Sequence, residues 1–196
     1  GSVSVDMKLV KARKDAVVNE SLQSLRDWIA GTASLTRVAG HARFESPTTV
    51  RVGEEVYEAE RFFINVGARA AVPDVFRDVP VLTNHSMMDV DFVPEHLVIV
   101  GGSYVGLEFA QMYRRFGSRV TVVERGPRLI PHEDEDVSAS LREVLEGEGV
   151  GFRLSATCVA LQAAAEGVSV AVDCTAGAPA VTGTHVLLAV GRRPNT

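Results

Sequence analysis

The sequence predicts an α/β fold built on a parallel sheet, with a small antiparallel meander beside it. Two observations carry this expectation. From Leu97 onward, apolar runs of strand length alternate with helical stretches, which implies parallel strands with helices packed on the sheet. Before it, between Val38 and Tyr57, apolar and polar residues alternate with period two around turn-forming breaks, as antiparallel strands do.

Taken in order, the chain opens with a helix. Val18, Leu22, Leu25 and Ile29 recur at spacings of four, three and four, which places them on one helical face, and Gly31 ends the run. Residues 38–44 read as a strand, Ser46-Pro47 as a break, residues 49–52 as a second strand, and Val56 and Tyr57 as a return after Gly53. The run Phe62-Phe63-Ile64-Asn65-Val66 is almost wholly apolar and predicts a strand buried on both faces, stopping at Gly67. Residues 70–94, interrupted by Pro73, Pro80 and Pro94, read as a connecting segment with a domain boundary near Asp91.

Beyond that boundary, residues 97–100 and 120–123 are expected as buried strands, and residues 105–116 as the helix between them. A second helix over 138–145 follows the acidic run Glu133-Asp134-Glu135-Asp136, whose carboxylates suit a helix start. A third strand is expected at 150–154, short β pieces at 159–161 and 168–172, and a last apolar strand at 186–190 ending at Gly191.

Composition excludes several classes. A net charge of −5 and a pI near 5.6 argue against nucleic acid as the main partner, since phosphate backbones need a basic face. No apolar run approaches the roughly 20 residues of a membrane span, and the start lacks the regions of a secretory signal. Gly1 and Ser2 read as the remnant of a cleaved tag. Two cysteines, Cys158 and Cys174, suit neither a disulfide scaffold, a zinc site nor a C-x-x-C pair, and are expected as thiols in a reducing cytoplasm. No metal site is expected.

The most informative segment runs from Val98 to Glu108. Gly101-Gly102-Ser103 falls where a strand must turn into a helix: Gly101 permits the tight turn, and Gly106 lets the helix approach the sheet. Position 103, normally glycine, lets the backbone approach a pyrophosphate resting on the helix N-terminus; here Ser103 is small and carries a hydroxyl donor. Glu124 ends the second strand about 20 residues on, where an acid accepts ribose hydroxyls in dinucleotide-binding folds. That carboxylate favours NAD over NADP, although Arg125 and Arg128 follow it, either to receive a 2′-phosphate or as part of a solvated turn. Residues 63–68 and 187–192 share a second form, a buried strand closed by a glycine at its carboxyl end. That form suits either a ligand-lining turn or a simple exit from the core.

Three segments in this order resemble the pyridine nucleotide–disulfide oxidoreductases, and most of all their mercuric-reductase-like branch. They are Ile64-Asn65-Val66-Gly67-Ala68, then Gly101 through Glu108, then Ala189-Val190-Gly191-Arg192-Arg193-Pro194-Asn195. The resemblance implies a Rossmann-like NAD(P)-binding domain at residues 91–196, with parallel sheet and β-meander, and a partial FAD-binding domain segment, helix and β-meander, at residues 1–90. It implies that Gly67 and Ala68 mark the handover from the FAD domain. Gly101, Gly102, Ser103 and Gly106 would form the pyrophosphate turn, Glu124 with Arg125 the ribose end, and Gly191 the turn lining the nicotinamide. It further implies that Tyr104 sits over the flavin until nicotinamide displaces it, and that Glu108 lies near both rings. Without the resemblance, Tyr104 can simply pack its ring on the helix, and Glu108 suits an early helical turn.

The resemblance also implies parts that this sequence does not carry: an FAD-binding glycine motif and a Cys-x-x-x-x-Cys pair upstream, and the remaining FAD domain with a dimerisation domain downstream. The expected parent is therefore a homodimeric, cytoplasmic flavoprotein that passes hydride from NAD(P)H to FAD, the present chain holding the nicotinamide dinucleotide without turning over alone. Two alternatives stand beside it. A simple NAD-dependent dehydrogenase would need a catalytic His, Lys or Tyr, yet His41, His85, His96, His132 and His185 form no obvious constellation. A non-catalytic nucleotide-sensing module would need an effector surface.

Overall fold

The computed structural model describes residues 4–156, 159–164, 167–172 and 179–196; Cys158 and Cys174 lie outside the described residues. The chain divides into two compact units: Arg13–Gly67, and the residues up to Ala12 together with Ala68–Asn195. The boundary expected near Asp91 falls inside the larger unit. The reason is that Leu82–Thr83, within the expected connector, forms a parallel edge strand of the main sheet.

Most of the helix α1 (Met7–Gly31) belongs to the smaller unit, along with an antiparallel meander of β1 (Ala42–Ser46), β2 (Thr49–Val52) and β3 (Glu55–Glu58). The helical spacing holds, but its apolar stripe is not a core face: Val18, Leu22 and Leu25 are exposed and Ile29 is only half-buried. The strand expected at 62–66 is corrected more sharply. Residues 62–66 join no ladder, and Phe63 is 92% exposed and Ile64 67%. Burial on both faces needs a neighbouring strand and two covering layers, and the described residues of this unit supply neither.

In the larger unit, β4 (Ala68–Ala70) pairs antiparallel with β13 (Arg192–Pro194). The main sheet contains β5 (Leu82–Thr83), β12 (His185–Leu188), β6 (His96–Val100), β7 (Arg119–Val123) and β8 (Gly151–Arg153), in that order and all parallel. The helices α2 (Tyr104–Phe116) and α3 (Glu135–Gly147) and a second meander, β9 (Val159–Ala164), β10 (Gly167–Val172) and β11 (Ala180–Gly183), complete it.

Strand alternation assigns the two faces of the sheet. Leu97, Ile99, Val120 and Val122 pack with Leu107, Ala110 and Tyr113 of α2 and Leu145 of α3. Val98, Val100, Val123 and Val186 pack with Val168, Val170 and Val172 of β10 and Val181 of β11. These central strand residues are fully or almost fully buried, which explains why β6 and β7 read as continuous apolar runs rather than alternating ones. The parallel sheet and the Rossmann-like α/β class are as expected from sequence.

Two histidines sit within this framework. His96, 7% exposed, places Nε2 2.9 Å from Thr121 Oγ1, tying β6 to β7. Burial and the nearby Arg119 guanidinium lower its pKa, against weaker opposing effects of the Thr182 carbonyl and Glu95. Burial likewise lowers the pKa of His185, whose ring packs on Phe92 with centroids 4.9 Å apart. A histidine whose folded pKa lies below its unfolded value binds fewer protons in the native state, so stability is full above the unfolded pKa and falls as pH drops through it. Thermal melts are therefore expected to show Tm declining as pH falls below about 6.5. His96→Gln, which retains a hydrogen-bonding amide, should flatten that decline; an unchanged slope would remove His96 from the account.

Candidate functional site

β6 ends at Val100, and the chain must turn into α2 within Gly101-Gly102-Ser103. Gly101 adopts φ +114°, and a Cβ there would lie 2.4 Å from the Ala189 carbonyl oxygen, so both conformation and space demand glycine. A Cβ on Gly106 would lie 2.1 Å from the Gly101 carbonyl oxygen, which means that the first turns of α2 rest directly on the loop backbone. Ser103 is the N-cap residue of α2 with extended backbone, and its carbonyl accepts from the Leu107 amide at 3.0 Å. Its side chain makes no capping bond, which leaves the hydroxyl and the first-turn amides available to an anion, at the positive end of a 13-residue helix.

Glu124 follows β7 and does more than end a strand. Its Oε2 accepts from the Gly102 amide at 2.6 Å and its Oε1 from the Gly126 amide at 2.7 Å. One carboxylate thus clamps the glycine turn to the loop beyond the neighbouring strand.

Between these pieces lies a cleft of about 710 Å³, walled on the motif side by Gly101, Gly102, Ser103, Glu124, Arg125 and Gly191. That volume falls within the range of small-molecule and cofactor sites, roughly 300–1,000 Å³. It lies at the carboxyl ends of the sheet strands, where β6 has α2-linked β7 on one side and β12 on the other. This is the switch point at which open α/β sheets bind ligands. Gly191, at φ +124°, turns the chain out of the sheet there, and its carbonyl accepts from the Ala71 amide at 2.9 Å.

Other sequence-predicted residues stand apart from the cleft. Tyr104 is 54% exposed and donates its hydroxyl to Glu133, a hydrogen bond that raises the phenol pKa. Glu108 is exposed on α2. Gly67 ends the smaller unit with φ +68°, and Ala68 opens β4, its carbonyl accepting from Arg192 at 2.8 Å; neither lines the cleft. Of the two arginines after Glu124, Arg125 faces the cleft, whereas Arg128 donates to the Pro131 carbonyl at 2.9 Å and lies 4.0 Å from Glu135.

Sequence reading alone missed Phe76, Pro131, His132 and Arg193 as cleft residues. Arg193 sat within a recognised motif, but the others come from irregular segments that carry no periodic signal. Among the described residues, no group of three or more His, Cys, Asp or Glu is placed to hold a metal ion, and no helix is long and apolar enough to cross a membrane.

The family description "Pyridine nucleotide-disulphide oxidoreductase" matches residues 4–196, nearly the whole chain. The chain belongs to this family. Among its family relatives, a dihydrolipoyl dehydrogenase of Thermus scotoductus is 32% identical over 197 residues, covering 98% of this chain and 42% of the relative. A mercuric reductase of Lysinibacillus sphaericus is 26% identical, with 98% and 36% covered. Among solved family structures, the HOCl-induced flavoprotein disulfide reductase RclA from Escherichia coli superposes with a TM-score of 0.85 at 29% identity, covering 98% of this chain and 44% of that one. The chain thus spans less than half the length of these family members.

Proposed function

We propose that this chain holds NAD(H) in the cleft at the carboxyl ends of the sheet, as the nicotinamide-binding portion of a flavin-dependent oxidoreductase. The observation that carries the reading is the glycine turn itself. Gly101 and Gly106 leave no room for side chains, α2 presents free first-turn amides, and Ser103 has an unengaged hydroxyl, a cradle that suits a pyrophosphate.

The residues divide the dinucleotide between them. Ser103 and the start of α2 hold the phosphates, which pass over the bare Gly102 backbone; Glu124 takes the ribose hydroxyls while retaining its backbone amides; Gly191 turns the chain away so that the backbone lines the nicotinamide end. Tyr104 and Glu108 are assigned to the nicotinamide and flavin neighbourhood on the resemblance alone. Bound NADH supplies hydride, and FAD in the full-length protein is its acceptor; the chain's own share is positioning. Glu124 supports NAD over NADP, because a 2′-phosphate beside it would be repelled, and Arg125 is then a contact from the cleft wall.

The smaller unit supports assignment to part of an FAD domain. The exposed stripe of α1 and the exposed residues Phe63 and Ile64 are large apolar surfaces of the kind that further chain covers. Residues 68–90, expected with that segment, are assigned here to the dinucleotide-binding portion because β5 is part of its sheet. The electron acceptor beyond flavin, a homodimeric assembly and a cytoplasmic setting belong to the same proposal for the full-length protein.

Calorimetric titration of the 196-residue chain with NADH and with NADPH tests the reading. NADH should bind, and more tightly than NADPH. Absence of binding by either at millimolar concentration would overturn the assignment, and a preference for NADPH would transfer control of the choice to Arg125.

A further inference from the structure

A second crevice, of about 600 Å³, runs along one face of the sheet from the amino ends of β6 and β7, at His96 and Arg119, to Arg153 at the carboxyl end of β8. Its charged lining is basic, Arg119 and Arg153 with the His96 ring beside them, and holds no Asp or Glu among the described residues. Strand parity brings them together. His96 on β6, Arg119 and Thr121 on β7, and Gly151 and Arg153 on β8 occupy the sheet face that β11 covers.

Three features distinguish this crevice from a chance gap. First, in a chain of net charge −5, two guanidiniums, Arg119 and Arg153, line the same cavity. Among the described residues, Arg119 and Arg153 form no ion pair with a carboxylate. Second, His96 is fixed as a wall by Thr121, and Glu95 next to it is not part of the lining. Third, the crevice is kept open by glycine rather than by strain: a Cβ on Gly151 would meet nothing nearer than the Val120 carbonyl at 3.6 Å, so the space is spare.

We propose that this crevice binds a small organic anion carrying two or more negative charges, a phosphate ester or a polycarboxylate, held between the Arg119 and Arg153 guanidiniums. Two like charges facing one cavity without a counter-charge repel each other, and an anion between them removes that repulsion while gaining charge-assisted, potentially bidentate hydrogen bonds. The cavity volume suits a metabolite rather than a single inorganic ion. The crevice shares no lining residue with the cleft at the glycine turn.

The test is a thermal-shift titration of the 196-residue chain with citrate and with inorganic pyrophosphate, ionic strength held constant with sodium chloride. At ten times its Kd, a binding anion should raise Tm by about 3 °C for a chain of this size. Arg119→Gln with Arg153→Gln should abolish the rise. So should Gly151→Leu, which fills the crevice and leaves both charges in place; the unliganded melt of each variant shows that it is folded. A response to citrate alone identifies a polycarboxylate ligand, a response to pyrophosphate alone a phosphorylated one, and a response to both the chemistry they share. No shift with either probe overturns the proposal, as does a shift that survives in Arg119→Gln/Arg153→Gln, which would place the anion elsewhere, including on the glycine turn.

Discussion

Replacing Gly101 by alanine is expected to destabilise the chain by about 2–3 kcal/mol, the upper part of the usual range for overpacking a closed site. Two costs act together. The backbone at φ +114° lies where an L side chain is strained, and the new Cβ would stand 2.4 Å from the Ala189 carbonyl oxygen, a backbone atom that cannot swing aside. Relief requires β12 and β6 to separate at their carboxyl ends, which also moves the Gly102 amide off Glu124. For a chain of this length that corresponds to a fall in Tm of about 5–10 °C. NADH affinity should fall at least about tenfold, because the phosphate cradle is displaced along with the turn. Circular dichroism melts and calorimetry measure the two effects separately. A variant with unaltered Tm would mean that the turn relaxes freely, and the steric account of Gly101 would fail.

Removing the Glu124 carboxylate should weaken NADH binding by about 1–2 kcal/mol, roughly five- to thirtyfold, the scale of a hydrogen bond to a charged group. The structure gives the substitution a second consequence. Glu124→Ala leaves the Gly102 and Gly126 amides without their acceptor, so the glycine turn also loosens, and Tm should fall. Glu124→Gln separates the two roles: its single carbonyl oxygen can serve one amide, so stability should recover in part, while the ribose loses its anionic acceptor. The NADPH-to-NADH affinity ratio should rise in both variants, since the repulsion of a 2′-phosphate is gone. Unchanged NADH affinity in Glu124→Ala would remove the ribose role and leave Glu124 as a clamp for the loop alone.

How far the sequence went can be judged from particular residues. The strand–turn–helix of 97–116 was legible because three independent local signals coincide: a buried strand run, glycines at the reversal, and a helical period starting at once. The strand expected at 62–66 was not, because hydrophobicity records a preference for burial and says nothing about what is there to bury against. β4, β5 and β13 were invisible for the opposite reason: two- and three-residue strands carry no measurable period, and pairing partners far apart in sequence define them. His132, in an irregular loop among acidic residues, gave no signal of facing a cleft.

The sequence by itself determined the α/β class, the glycine turn between strand and helix and the acid that follows it, because each is a local matter: period, backbone conformation and a short fixed spacing. Tertiary structure alone decided which arginine faces the cleft. Arg125 and Arg128 are equivalent as sequence, but Arg128 is turned onto the Pro131 carbonyl and Glu135 by its own loop. It also decided that Glu124 is a clamp, since no spacing rule reveals that its two oxygens meet amides from separate turns. The basic crevice on the sheet face beneath β11 is likewise a product of packing. It exists only because three parallel strands in register place His96, Arg119 and Arg153 on one face, residues that the chain separates by a helix each time.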